Sequence, residues 1–158
     1  MISTACKKVV LENLLFKKFD GIARAFFPTP GPDLNKTHNI RFCLFAEESD
    51  ICLKGSELAK NDVKSVKLIK TKLNHDTDKK YTLEVCFSNM EKLKRLTEKG
   101  SYAKRMAIYI NDKLIIAPSF YGTLKDEILV VGGGIWDTEA QIEAVIGKKT
   151  LDQYKSQW

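Results

Sequence analysis

The stretch from Arg105 to Phe120, RMAIYINDKLIIAPSF, constrains the fold more than any other segment. Two apolar runs flank Asn111-Asp112, a pair that tolerates the left-handed backbone of a two-residue hairpin turn, and the second run stops at Pro118. Met106, Ile108 and Ile110 alternate along the first strand and share one face, which reads as core. In the second strand Leu114 and Ile116 alternate with Ile115 and Ala117, so one of these sets faces away from the core. A hairpin this apolar needs a sheet and a covering layer around it.

Other elements follow from periodicity. Ile40–Phe45 and Lys80–Phe87 alternate as strands, and Val63–Leu73 is a strand whose lysines, Lys64, Lys67, Lys70 and Lys72, suit an edge. Gly55–Lys60 fits a short helical turn. Ser88 with Glu91 has the spacing of a capping box, and Met90, Leu93, Leu96 and Thr97 form one face of the helix that follows, with Gly100 placed to end it. Glu127–Val131 is a strand running into Gly132-Gly133-Gly134, and a last helix starts near Asp137. This order predicts an α+β fold: a single mixed or antiparallel sheet with helices on one face, ferredoxin-like (split βαβ), with an extra hairpin strand.

Residues 1–37 read as an amphipathic helix and a proline-rich linker, 38–149 as the α+β domain and 150–158 as a C-terminal tail. In residues 7–27, Leu11, Leu14, Leu15, Ile22 and Phe26 make an apolar stripe opposite Lys7, Lys8, Lys17, Lys18 and Arg24. Such a helix either packs on the domain or touches a membrane surface peripherally. FPTPGPDL, residues 27–34, ends it, because three prolines and a glycine make a stiff extended spacer.

The 158 residues carry a net charge of +6, which favours acidic partners, yet the lysines are spread along the chain beside acids. Nucleic acid or an anionic membrane surface is therefore the alternative partner class rather than the leading one. No apolar run approaches the ~20 residues of a spanning helix. No apolar leader follows the first basic residues, so the chain as written is expected to be soluble, and cytoplasmic if complete.

Chemistry is hard to find. Cys6, Cys43, Cys52 and Cys86 form no CxxC pair, and His38 and His75 lack zinc spacing, so no metal and no cofactor is expected. The strand pattern puts Cys43 and Cys86 on the face opposite the apolar one, which allows a bridge between them if the strands are neighbours. The triple glycine lacks both the dinucleotide spacing and the P-loop Lys-Ser/Thr, and Trp136 after it reads as a lid on the core. The acidic groups at 47–50 and 75–78 read as solvated loops. No nucleophile elbow, zinc helix or kinase signature appears, and an enzyme is not expected.

Residues Ala103 to Pro118, AKRMAIYINDKLIIAP, resemble a signature of the SecD subunit of the bacterial Sec export machinery, in the head of its first periplasmic region. There the pattern approximates Gly-Lys-x-Leu-Ala-Ile-x-Leu-Asp-Gly-Lys-Val-x-x-Ala-Pro. Lys104, Ala107, Ile108, Lys113, Ala117 and Pro118 match outright, and Met106, Ile110 and Leu114 match in kind. LKGSEL, LEVCFSNMEKLKRLT and GGIWDTEAQIEAV resemble the flanking segments in the same order. Asp112 stands where the family has its turn glycine, Ile135-Trp136 where it has Phe-Thr, and the transmembrane helices of SecD have no counterpart.

The resemblance implies a non-catalytic module that binds polypeptide or a protein partner, in an extracytoplasmic or secreted setting; a secreted effector using the same fold is a further alternative. The binding residues it suggests are Ile115, Ala117, Pro118, Phe120 and Tyr121, an apolar patch beside the second strand of the hairpin.

Overall fold

The computed structural model describes residues 29–46, 48–70, 80–98, 104–120, 124, 127–131 and 134–158. Among them the strands are β1 (Ile40–Leu44), β2 (Val63–Lys70), β3 (Tyr81–Phe87), β4 (Lys104–Ile110), β5 (Lys113–Ile116), β6 (Ser119–Phe120) and β7 (Ile128–Val130). The helices are α1 (Leu34–Thr37), α2 (Met90–Thr97), α3 (Glu139–Ile146) and α4 (Lys148–Lys155), with a 3-10 turn at Lys60–Asp62. The class is α+β, as the sequence implies.

The strands divide into two antiparallel sheets where one was expected. Sheet 1 has the order β1-β4-β5, with β6 also pairing β4; sheet 2 has the order β2-β3-β7. The reason lies in the edges. One edge of β1 pairs with β4, and the other is taken by the segment after it: Leu53 N–H donates to Leu44 O, Leu58 N–H to Phe42 O and Ala46 N–H to Ile51 O. Both edges of β3 are used by β2 and β7. Neither β1 nor β3 has an edge left to join the other, so the split βαβ arrangement cannot form.

The two sheets nevertheless share one core. Phe42, Leu44, Met106, Ile108 and Ile110 of sheet 1 cluster with Val66, Leu68, Leu83, Val85 and Phe87 of sheet 2. Phe42 and Phe87 meet edge to face with ring centroids 6.2 Å apart. Each such aliphatic contributes roughly 1.5–3 kcal/mol on burial. Leu93 of α2 and Ile142 and Ile146 of α3 complete the cluster.

Residues 150–158 are not a tail. Gly147, at φ +87, ends α3 and begins α4, and Leu151 and Tyr154 of α4 are buried in the main core. At the chain end Trp158 stacks on Tyr81 with centroids 5.4 Å apart. The described part of the proline-rich segment is likewise packed: Thr29 is buried, its hydroxyl donates to Glu84 (2.7 Å), and Lys67 Nζ donates to the carbonyls of Thr29 and Gly31 (both 2.9 Å). The amphipathic stretch 7–27 lies outside the described residues.

The cap of α2 sits one residue later than its sequence spacing suggests. Asn89 Oδ1 accepts from Lys92 N–H, while Ser88 Oγ donates to Asn61 O. Asp62 explains the shift. Its carbonyl accepts from Ser88 N–H and Asn89 N–H, and its carboxylate from Ala59 N–H (2.7 Å), Asn89 Nδ2 (3.0 Å) and Lys92 Nζ (2.7 Å). Burial alone would raise this carboxyl; the bonds from Lys92, Ala59 and Asn89 outweigh it and hold the pKa below its ordinary value.

Candidate functional site at the edge of sheet 1

Asn111 and Asp112, at φ +52 and +65, both adopt the left-handed conformation, as the hairpin reading requires. Opposite pairs across the turn are Ile110–Lys113, Tyr109–Leu114 and Ile108–Ile116, with an irregularity between the last two. Ile115 is the extra residue of this bulge, and both Ile115 and Ile116 pack toward the main core. Met106, Ile108 and Ile110 are buried, so that face of β4 is core.

Of the five residues expected to form one patch, Ile115 and Phe120 are divided from Ala117 by the sheet. Ile115 and Phe120 are half-buried and pack on the main core, and Phe120 pairs with Lys104 in β6. Ala117 is half-buried on the opposite face, in a second cluster with Cys43, Phe45, Ala107, Cys52 and Tyr109. Half-buried Pro118 lies between β5 and β6, its carbonyl accepting from Met106 N–H (3.0 Å). Tyr121 lies outside the described residues.

The same second cluster holds a disulfide. Cys43 is bonded to Cys52, with Cα atoms 5.7 Å apart, and not to Cys86. Cys43 and Cys86 belong to different sheets, so the shared-face argument from sequence does not bring them together. The bridge closes the loop that begins at Ala46, and Arg105 anchors the loop from β4 through Ser49 O (3.0 Å) and Asp50 (2.8 Å). Both arginines of this face lie over rings, Arg105 on Phe45 at 5.0 Å and Arg41 on Tyr109 at 4.7 Å. Arg41 also pairs with Glu57 (3.0 Å) and lies 3.7 Å from Asp112.

The edges of the two sheets differ in one respect that matters for binding. Edge strand β2, lysine-rich as expected, is closed by side chains. Asp33 Oδ1 accepts from Val66 N–H (2.8 Å), Asn35 Nδ2 donates to Val63 O (3.0 Å), and the Tyr154 hydroxyl accepts from Leu68 N–H. The far edge of β1 is closed by the segment after it. Along β5, among the described residues, nothing bonds the outer edge. The pair flanking a two-residue turn exchanges hydrogen bonds, so Lys113 faces β4 with its backbone and Leu114 points its N–H and C=O off the sheet. The Leu114 side chain is 40% exposed.

Leu114 and Lys113 are thus the residues that sequence reading passed over. The signal was available in Asn111-Asp112, because the turn type fixes which residues of the next strand have outward backbone groups. Strands β6 and β7 also pair with a single strand each, but they have only two and three residues.

Other candidate chemistry is weak. Among the described residues no group of three His, Cys, Asp or Glu side chains could hold a metal ion, and no helix is long and apolar enough to cross a membrane. Trp136, 7% exposed, bridges to Tyr81 and lies in the main core, the place expected of a lid. The acidic loop at 75–78 and Gly132-Gly133 lie outside the described residues. No family model, curated protein or solved structure matches the chain, and so nothing among known proteins supports the resemblance to the SecD head.

Proposed function

We propose that this protein is a non-catalytic module that binds an extended polypeptide, or an extended segment of a protein partner, by adding it as a strand to β5. One observation carries the reading: the chain closes the outer edges of β1 and β2 with its own groups, and leaves that of β5 open among the described residues. Strand addition draws affinity from main-chain hydrogen bonds and specificity from alternate side chains. The likeness of residues 103–118 to the SecD head, a module thought to hold emerging polypeptide, points in the same direction.

The nucleic-acid reading gains no comparable support. Lys67 is engaged by backbone carbonyls and Lys92, Lys148 and Lys155 by carboxylates, so these lysines are tied within the fold instead of lining a phosphate track.

The test is titration of the protein against a reduced, alkylated, permanently unfolded polypeptide, read by fluorescence anisotropy. Leu114→Pro removes the outward N–H at an edge position that proline tolerates. It is expected to weaken binding at least about ten-fold while the thermal unfolding midpoint stays within a few degrees. Equal binding by a folded Leu114→Pro variant would overturn the proposal. If that variant unfolds, N-methylation of a bound peptide decides instead: loss of binding must alternate from one residue to the next, and uniform loss or uniform tolerance would overturn it.

A further inference from the structure

The rows of side chains that cross sheet 1 end at β5, and they define what a further strand would meet. The first row is Ile40–Ile110–Lys113, the second Arg41–Tyr109–Leu114, and the third Phe42–Ile108–Ile116. The first and third lie on the core side and the second on the outer side. The bulge places Ile115 and Ile116 together on the core side, so three successive residues of an added strand alternate core, outer, core.

Each row ends on different chemistry. Lys113 is exposed, and among the described residues no acid pairs with it; its neighbour Asp112 is directed to Arg41. Leu114 is exposed beside Tyr109, whose ring already carries the Arg41 guanidinium. Ile115 and Ile116 are half-buried at the margin of the main core and shed more water if an apolar side chain covers them. Directly opposed side chains in a sheet favour opposite charges and aliphatic pairs and disfavour like charges.

Resting on the strand-addition reading above, we infer that the segment taken up by β5 carries an acidic residue opposite Lys113. It is followed by two successive β-branched aliphatic residues, the first opposite Leu114 and the second covering Ile115 and Ile116. The partner is thus an extended polypeptide with an acid-aliphatic-aliphatic run, and a basic strand is rejected. The rejection is electrostatic and fades as salt screens the exposed pair.

The experiment uses labelled synthetic ten-residue peptides, threonine-rich outside a central Glu-Val-Val, with a Lys-Val-Val counterpart, each in both chain directions. They are titrated against the wild-type chain and against Lys113→Glu. Wild type is expected to bind the glutamate peptide about five-fold more tightly than the lysine peptide, and Lys113→Glu to reverse the order, in keeping with cross-strand pair energies. Replacing the two valines by serines is expected to abolish binding. The same preference in both proteins, or no preference, would overturn the inference while leaving strand addition in place. Binding of the unfolded polypeptide but of none of these peptides would also overturn it. If neither the polypeptide nor any peptide binds, strand addition itself falls and this inference with it.

Discussion

The ring of Tyr154 lies against Gly31 so closely that a Cβ built on the glycine would stand 2.4 Å from its Cδ1. The hydroxyl of the same tyrosine donates to the carbonyl of Pro32 and accepts from Leu68 N–H. One side chain in α4 thus fastens the described proline-rich segment and caps the edge of β2.

Gly31→Ala tests the first of these roles. Gly31 is at φ +102, a region that disfavours a side chain, and the new methyl would collide with the ring. The substitution is expected to cost about 2–4 kcal/mol, measured by urea unfolding with an unchanged m-value.

Tyr154→Phe tests the second. Burial holds the Tyr154 phenol far above its usual range, so the neutral hydroxyl makes both bonds throughout the physiological range. Its removal leaves Leu68 N–H and Pro32 O without this partner, an expected loss of about 1–3 kcal/mol. It also uncaps an edge strand, so light scattering at high concentration should rise in the variant relative to wild type.

Asp62→Asn separates charge from packing. The folded carboxyl has its pKa below the ordinary 3.8, so its contribution to stability is present above that value and is lost as pH falls through the lower folded value. Wild-type stability should therefore drop over that acid interval by more than that of Asp62→Asn. At pH 7 the variant should be less stable by about 1–3 kcal/mol, because Lys92 loses its charged partner.

The Cys43–Cys52 bond closes a short loop, for which chain entropy predicts ~2–3 kcal/mol of stabilisation. The Cys43→Ser, Cys52→Ser double variant should lose about that amount by denaturant unfolding. Hydrogen exchange should quicken at Ala46 and Leu53, whose amides pair across this loop. Unchanged exchange at both would show that the loop is held without the disulfide, by Arg105 and by the Ser56 hydroxyl, which accepts from Leu44 N–H (3.0 Å) and lies within hydrogen-bond distance of the Leu44 and Leu53 carbonyls.

The strands, the Asn111-Asp112 turn and the core face Met106-Ile108-Ile110 were legible in the sequence because they depend on local periodicity and on the conformational tolerance of two residues. The lysine-rich edge was legible for the same reason. The cysteine pairing was not, because face alternation says which side of a strand a thiol occupies but not which strand lies beside it. Helix α4 has the sequence of a tail, since Leu151 and Tyr154 gain their meaning only from the core that receives them. The suggested patch does not form one surface among its described members, because the bulge at Ile115 places that residue and Ala117 on opposite faces of the sheet.

By itself, then, the sequence determined the main strands, helices α2 and α3, where the hairpin turns, and that the class is α+β. Only the tertiary structure decided that the strands form two sheets and which edge stays open. Local pattern sets the state of a segment, but the fate of an edge depends on backbone donors and acceptors meeting partners far along the chain: Asp33 and Asn35 with β2, Leu53 and Leu58 with β1, and Tyr154 with Leu68.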